Sequence, residues 1–268
     1  MLNVAVTSRE YKLMLNIDRF QNRKQGTKAF WKLVEFLVNK QGGEVKSKTR
    51  EKQRQTWYLD TAKLDFYQQG FIVRIREHDL PEERYQITLK FRDTDRYMAA
   101  SQNISMTQEG RIKFEEDILP PFLSKFSHSI MFKTHELAEL DKIGKIVDLF
   151  PGLKTLNMNE STLIKTVNDF KAYEIASKMG KIYFGDKNIA ITAVLSFWYF
   201  LGEKDEFPVV VEFSFDYDAI SRSRTDSLEQ FPITVVEQAN RFFKTLQKQT
   251  DWVSPQAITK TTYAYEAL

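Results

Sequence analysis

Residues suited to holding a polyanion and a divalent metal recur at a spacing of two in five segments of this 268-residue chain. Ser8, Glu10 and Lys12 form the first set, and Arg74 and Arg76 the second. Thr88, Lys90 and Arg92 form the third, and Arg111, Lys113, Glu115 and Asp117 the fourth. Glu212, Ser214 and Asp216 form the fifth. A spacing of two is the strand period, so each set lies on one face and apolar residues such as Tyr85, Ile87, Leu89 and Phe91 lie on the other. Brought together, the five faces would collect lysines, arginines and carboxylates on one surface. Arginine forks suit phosphate oxygens. Carboxylates are hard oxygen ligands for magnesium, and they offset the cost of burying unpaired cations.

These segments belong to a chain rich in strands. Strands are expected at 8–16, 55–60, 71–77, 85–92 and 111–118, then at 161–170, 172–176, 181–184, 189–200 and 208–217. Helical spacing of Phe30, Leu33, Val34, Leu37 and Val38 predicts a helix over 27–40, with Thr27 as its cap. A second helix is expected over 233–249. Leu137, Leu140, Ile143 and Val147 predict a helical region over 122–150, read as part of a helical insertion at about 119–158. The basic run KSKTREKQRQ reads as a solvated connection or strand edge, and the tail TKTTYAYEAL as a return to alternation. Arg222 and Arg224 read as a solvated loop, Asp60 as a turn or strand-end residue, and Trp57 and Trp198 as core. One domain over 1–268 is expected. Many antiparallel strands with few helices predict an α+β fold whose sheet closes into a barrel with flanking helices.

Composition narrows the chemistry. With 39 Lys and Arg against 36 Asp and Glu the net charge is only +3, so any anion site must be built locally. No cysteine is present, which excludes thiol catalysis and cysteine-ligated zinc. Three histidines (His78, His128 and His135) leave little room for a histidine-rich metal site. The first residues lack a signal-peptide pattern, and the apolar run at 190–201 is too short to span a bilayer. A cytoplasmic protein with no membrane partner is expected. The basic run lacks aromatic interleaving, so no platform for nucleic acid is evident.

The ordered motifs resemble the CYTH superfamily, the triphosphate tunnel metalloenzymes. Ser8-Arg9-Glu10-Tyr11-Lys12 is similar to the family's opening Glu-x-Glu-x-Lys strand, with serine in place of the first glutamate. Tyr58-Leu59-Asp60-Thr61, Leu64-Asp65 and Arg74-Ile75-Arg76 follow in the family's order. Ile87-Thr88-Leu89-Lys90 resembles its Leu-Thr-x-Lys strand, and Lys113-Phe114-Glu115-Glu116-Asp117 its Arg-x-Glu-x-Glu strand. Glu212-Phe213-Ser214 resembles a late Glu-x-Glu strand whose second glutamate is replaced. Lys165 and Lys260 sit where the family places further tunnel cations.

The resemblance implies an eight-stranded antiparallel tunnel. It further implies triphosphate binding by Lys12, Arg74, Arg76, Lys90, Lys113, Lys165 and Lys260. Glu10, Glu115, Asp117 and Glu212 would hold magnesium or manganese, with Lys12 and Glu115 catalytic. The implied activity is hydrolysis of inorganic triphosphate, thiamine triphosphate, a nucleoside triphosphate or an RNA 5′-triphosphate end. A non-catalytic polyphosphate or nucleotide binder, and an adenylate cyclase, are the alternatives.

Overall fold

In the computed structural model, nine strands close into a ring. The structure describes residues 5–79, 83–185, 189–201, 207–219, 231–254 and 258–266. Arg222 and Arg224 lie outside them. The strands are β1 (Ser8–Met14), β2 (Glu44–Thr61), β3 (Phe71–His78), β4 (Tyr85–Asp93), β5 (Arg111–Leu119), β6 (Leu123–Thr134), β7 (Ile164–Tyr183), β8 (Ile191–Phe200) and β9 (Val210–Asp218). Around the ring their order is β1-β5-β6-β4-β3-β2-β7-β8-β9. The ring thus has nine strands rather than the expected eight. It is antiparallel except where β1 runs parallel to β5, with Ser8 opposite Glu115 and Glu10 opposite Asp117.

The alternation decides which way the ring faces. Tyr11, Leu13, Val73, Ile75, Ile87, Leu89, Phe213 and Phe215 point outward and are buried beneath helices. Burying each such side chain contributes about 1.5–3 kcal/mol, which favours closure with the apolar face outward. Helix α1 (Arg23–Lys40) and a helix near the C-terminus, Ile233–Gln247, cover one flank. There Phe30 meets Phe213, and Phe242 and Phe243 meet Phe215. Short helices α2 (Asp65–Gln68), α3 (Arg96–Ser101) and α4 (Ile143–Leu149) occupy the connections. Ala99, Ile143 and Ile146 pack with Ile75, Leu89 and Phe114 on the other flank. Helix α5 is Ile233–Gln247 and α6 is Lys260–Glu266.

Several expectations are corrected. The region at 119–158 is not a helical insertion throughout, because Leu123–Thr134 forms β6 between β4 and β5. Its inward face has Ser127, Ser129 and Met131 at its centre and charge only at its ends, Lys125 and Lys133, so no cluster of charges marked the strand. Thr27 does not cap α1. Asn22 does, accepting from the Gln25 amide at 3.0 Å. The run KSKTREKQRQ lies within β2 and pairs with β7. The three strands expected over 161–184 are one, bent where Asn168 and Asp169 adopt positive φ. The tail over 260–266 is helical. Among the described residues no helix is long and apolar enough to cross a membrane.

Candidate functional site

The inward faces enclose a cavity of about 430 Å³. Nine cations and five carboxylates line it. β1 supplies Glu10 and Lys12, β3 supplies Arg74 and Arg76, and β4 supplies Thr88, Lys90 and Arg92. β5 supplies Arg111, Lys113 and Glu115, and β9 supplies Glu212, Ser214 and Asp216. All five alternating sets therefore meet in one place. Lys260 arrives from the first turn of α6 and closes the far end. Lys165 is not brought in. It is exposed and pairs with Asp60, beyond the β7 residues Glu174 and Ala176 that line the cavity. Asp60 itself is a buried turn acceptor that takes the amides of Thr61, Phe66 and Tyr67.

Two buried carboxylates fasten the cations to the wall. Asp117 accepts from Lys12 Nζ at 2.8 Å, Arg92 Nη2 at 2.9 Å and Ser127 Oγ at 2.9 Å. Burial opposes its charge, but Lys12, Lys90 and Arg92 outweigh burial and hold its carboxyl well below the usual range. Glu174, on β7, accepts from Arg54 Nε at 2.5 Å, Ser196 Oγ at 2.7 Å, Lys260 Nζ at 3.0 Å and Thr56 Oγ1 at 3.1 Å. Neither Glu174 nor Arg54 was singled out from the sequence. Arg54 falls in the run read as solvated, and Glu174 stands among alanines and serine in YEIAS. Their signal was only the shared period of two.

Glu115 accepts from Lys113 Nζ at 2.9 Å and Ser8 Oγ at 3.2 Å, and lies 3.6 Å from Lys90. Burial would raise its carboxyl, yet Lys90 and Lys113 bring it down to about 2. Lys90 is itself buried, which pushes its ammonium down to about 8 despite Asp117 and Glu115. Glu212 is bound by Lys260 at 3.0 Å, and Glu10 by Lys12 at 2.9 Å. Burial followed by the repulsion of Arg54 depresses Arg76, and burial depresses Arg74.

Among the described residues, three donors in this wall have no hydrogen-bond partner. Arg74 Nε, Arg76 Nε and Thr88 Oγ1 are buried and lack a hydrogen-bond partner. Among the described residues Arg74 has no ion pair, and Arg76 comes only within 3.8 Å of Glu174. The indole N–H of Trp198 is likewise unpartnered and lines the cavity, so Trp198 belongs to the site as well as to the core.

All four expected metal ligands are engaged by lysines, Glu10 and Asp117 by Lys12, Glu115 by Lys113 and Glu212 by Lys260. Asp216, on the inward face of β9, stands directly opposite Glu10 across the β1–β9 pair. No ion pair or hydrogen bond from a described residue reaches its carboxylate. Burial, then Glu10, pushes it up to about 7. Among the described residues no three Asp, Glu or His side chains converge into a metal centre by themselves. Glu10 and Asp216 nevertheless offer a pair of carboxylates, which suits a hard cation completing its shell with water and phosphate oxygens.

No family model matches the chain, and no curated protein does. Solved structures do resemble it. HpAC1 from Hippeastrum, described as an adenylyl cyclase candidate with a dominant triphosphatase activity, is 11% identical with a TM-score of 0.51, covering 98% of this chain and 96% of its own. An adenylate cyclase candidate from Bacillus halodurans is 12% identical over 97% of this chain and 98% of its own, with a TM-score of 0.40. At such identity the first likeness establishes the fold, and the second adds nothing to it. The chain therefore shares the fold of that structure, a closed ring of strands around a charged interior.

Proposed function

We propose that this protein is a metal-dependent hydrolase of a triphosphate-containing substrate, whether inorganic triphosphate, thiamine triphosphate or a nucleoside triphosphate. The observation that carries the reading is the set of buried, unsatisfied donors, Arg74 Nε, Arg76 Nε and Thr88 Oγ1, in a cavity with more cations than carboxylates. Leaving a buried donor unpaired costs about 1–3 kcal/mol, and a phosphate chain would satisfy all three. Lys12 and Lys90 stand beside them to neutralise it. Lys12 holds its proton firmly, because Asp117 and Glu10 outweigh the effect of burial.

Magnesium or manganese would be held by Glu10 and Asp216, with Glu115 nearby. When bound, such an ion polarises the phosphoryl group and orients the attacking water. The chain's own residues fix the phosphates in line and stabilise charge on their oxygens. HpAC1's described triphosphatase activity is consistent with this reading.

Phosphate release from tripolyphosphate with magnesium or manganese tests it, and product analysis with ATP separates hydrolysis from cyclisation. One observation favours the second reading, a non-catalytic binder. Ser214 lines the cavity and Ser8 shares the strand face of Glu10 and Lys12, both at positions where the family resemblance implies a carboxylate, and Ser8 spends its hydroxyl on Glu115. Tight binding without phosphate release would establish that alternative.

A further inference from the structure

β3 pairs with β2 only over Arg54–Leu59, so the part of β2 before Arg54 has β7 on one side and a free edge on the other. This part flanks the tunnel mouth. Lys52 stands opposite Ala176, and Arg50 opposite Lys178. Ala176 lines the tunnel, as does Val194, the β8 partner of Lys178. Lys52, Arg50 and Lys178 therefore share the tunnel side of the sheet. Beyond a bulge, Lys46 stands opposite Lys181, whose Nζ donates to Thr192 Oγ1 at 2.7 Å in the row that leads to Asp216.

Charge is sorted across this flank between Arg50 and Lys52, while at the outer end Lys46 pairs with Glu44 at 3.8 Å. Glu51 points to the outer face, where Arg23 at 2.6 Å and Ser177 at 2.9 Å hold it. On the tunnel face Arg50, Lys52 and Lys178 have no ion pair among the described residues. From Lys46 to Lys52 the row spans roughly 20 Å at the strand rise. It continues inward to Arg54, which lines the cavity.

We propose that this row is a track for the distal part of a condensed inorganic phosphate chain longer than triphosphate, whose end occupies the tunnel. The inference deepens the triphosphate reading and rests on it. A triphosphate fills the tunnel and leaves the track empty, so Arg50, Lys52 and Lys178, without an ion pair among the described residues, are placed to serve a ligand that keeps its charge beyond the third phosphoryl group. Single-stranded RNA would want successive rings for its bases. The flank's tunnel face offers one, Tyr183, and Lys46 Nζ already sits 5.1 Å from its centroid.

The test compares wild type with Arg50→Gln/Lys52→Gln/Lys178→Gln, using tripolyphosphate, long-chain inorganic polyphosphate and a 5′-triphosphorylated RNA oligonucleotide. Wild type is expected to bind the long chain about tenfold or more tighter than tripolyphosphate, the scale of several exposed charge contacts acting together. The triple variant, with an unchanged melting temperature, should keep its tripolyphosphate affinity and lose that advantage, with a shallower salt dependence. A variant that retains the long-chain advantage overturns the track. So does one that loses affinity for tripolyphosphate and the long chain equally, or one that loses affinity only for the RNA. Wild type that binds neither tripolyphosphate nor the long chain overturns the tunnel reading as well.

Discussion

Lys12 donates to Asp117 at 2.8 Å across the parallel β1–β5 pair, joining a cation of the tunnel wall to a carboxylate behind it. The parallel pairing sets Asp117 directly beside Glu10, so the acid that fixes Lys12 comes from a strand a hundred residues away. Asp117 thereby acts as an anchor for the cations, while Asp216 flanks Glu10 on its other side.

Acid should reveal that anchor. The folded carboxyls of Asp117 and Glu115 lie below their unfolded values, Glu115 at about 2. A depressed acid contributes stability that is present above the unfolded pKa and lost as pH falls through the folded one. Stability in urea should therefore decline as pH falls from about 4.5 towards 2. Asp117→Asn should flatten that decline. A variant with the wild-type slope would show that Asp117 does not carry it.

Glu174 should be the most sensitive position in the wall. It is fully buried and bonded to Arg54 and Lys260. Glu174→Ala strands those cations and should cost about 3–5 kcal/mol in denaturant unfolding. Lys165→Ala, at an exposed position outside the cavity, should change stability by no more than about 0.5 kcal/mol. Equal effects of the two would contradict the assignment of inside and outside.

Lys90 should trade stability for binding. Burial lowers its ammonium to about 8, so below that pH the fold carries a charged group it disfavours. The sign follows: between about 8 and 10.4 the unfolded chain holds the proton that the native one has released, and stability rises with pH. Lys90→Met should leave the melting temperature unchanged or higher at neutral pH while weakening tripolyphosphate binding about tenfold or more. A large drop in melting temperature with normal ligand response in the folded fraction would make Lys90 structural.

Much of this was legible in the sequence because a closed ring preserves the period of two. Lys12, Arg74, Arg76, Lys90 and Glu115 meet as their alternation predicts. What stayed hidden depended on partners distant in the chain. β6 escaped because Ser127, Ser129 and Met131 at the centre of its inward face carry no charge and Lys125 and Lys133 stand only at its ends. Arg54 escaped because a run of cations looks solvated until Glu174 is set opposite it. Asp216 was visible on its strand face, but its role follows from the register that sets it against Glu10. Lys165 stays outside because it lies beyond the bend at Asn168 and Asp169, past the part of β7 that lines the cavity.

Asp216→Asn should separate the metal from the phosphate. Burial and Glu10 raise this carboxyl to about 7, so its cost to the fold grows as pH rises from about 4 to 7. The variant should be more stable than wild type at neutral pH, bind manganese about tenfold or more weakly, and keep its metal-free affinity for tripolyphosphate. Undiminished manganese affinity would remove Asp216 from the metal site.

Calorimetric titration of tripolyphosphate into the wild-type protein and into Arg74→Ala/Arg76→Ala tests the tunnel most directly. One triphosphate per chain should bind wild type, with a melting temperature that rises as ligand is added, about 2.7 kcal/mol of stabilisation being reached at a hundred times the dissociation constant. The double variant should remain folded and lose that binding. Absence of heat and of any thermal shift in wild type, with and without magnesium or manganese, would contradict the account.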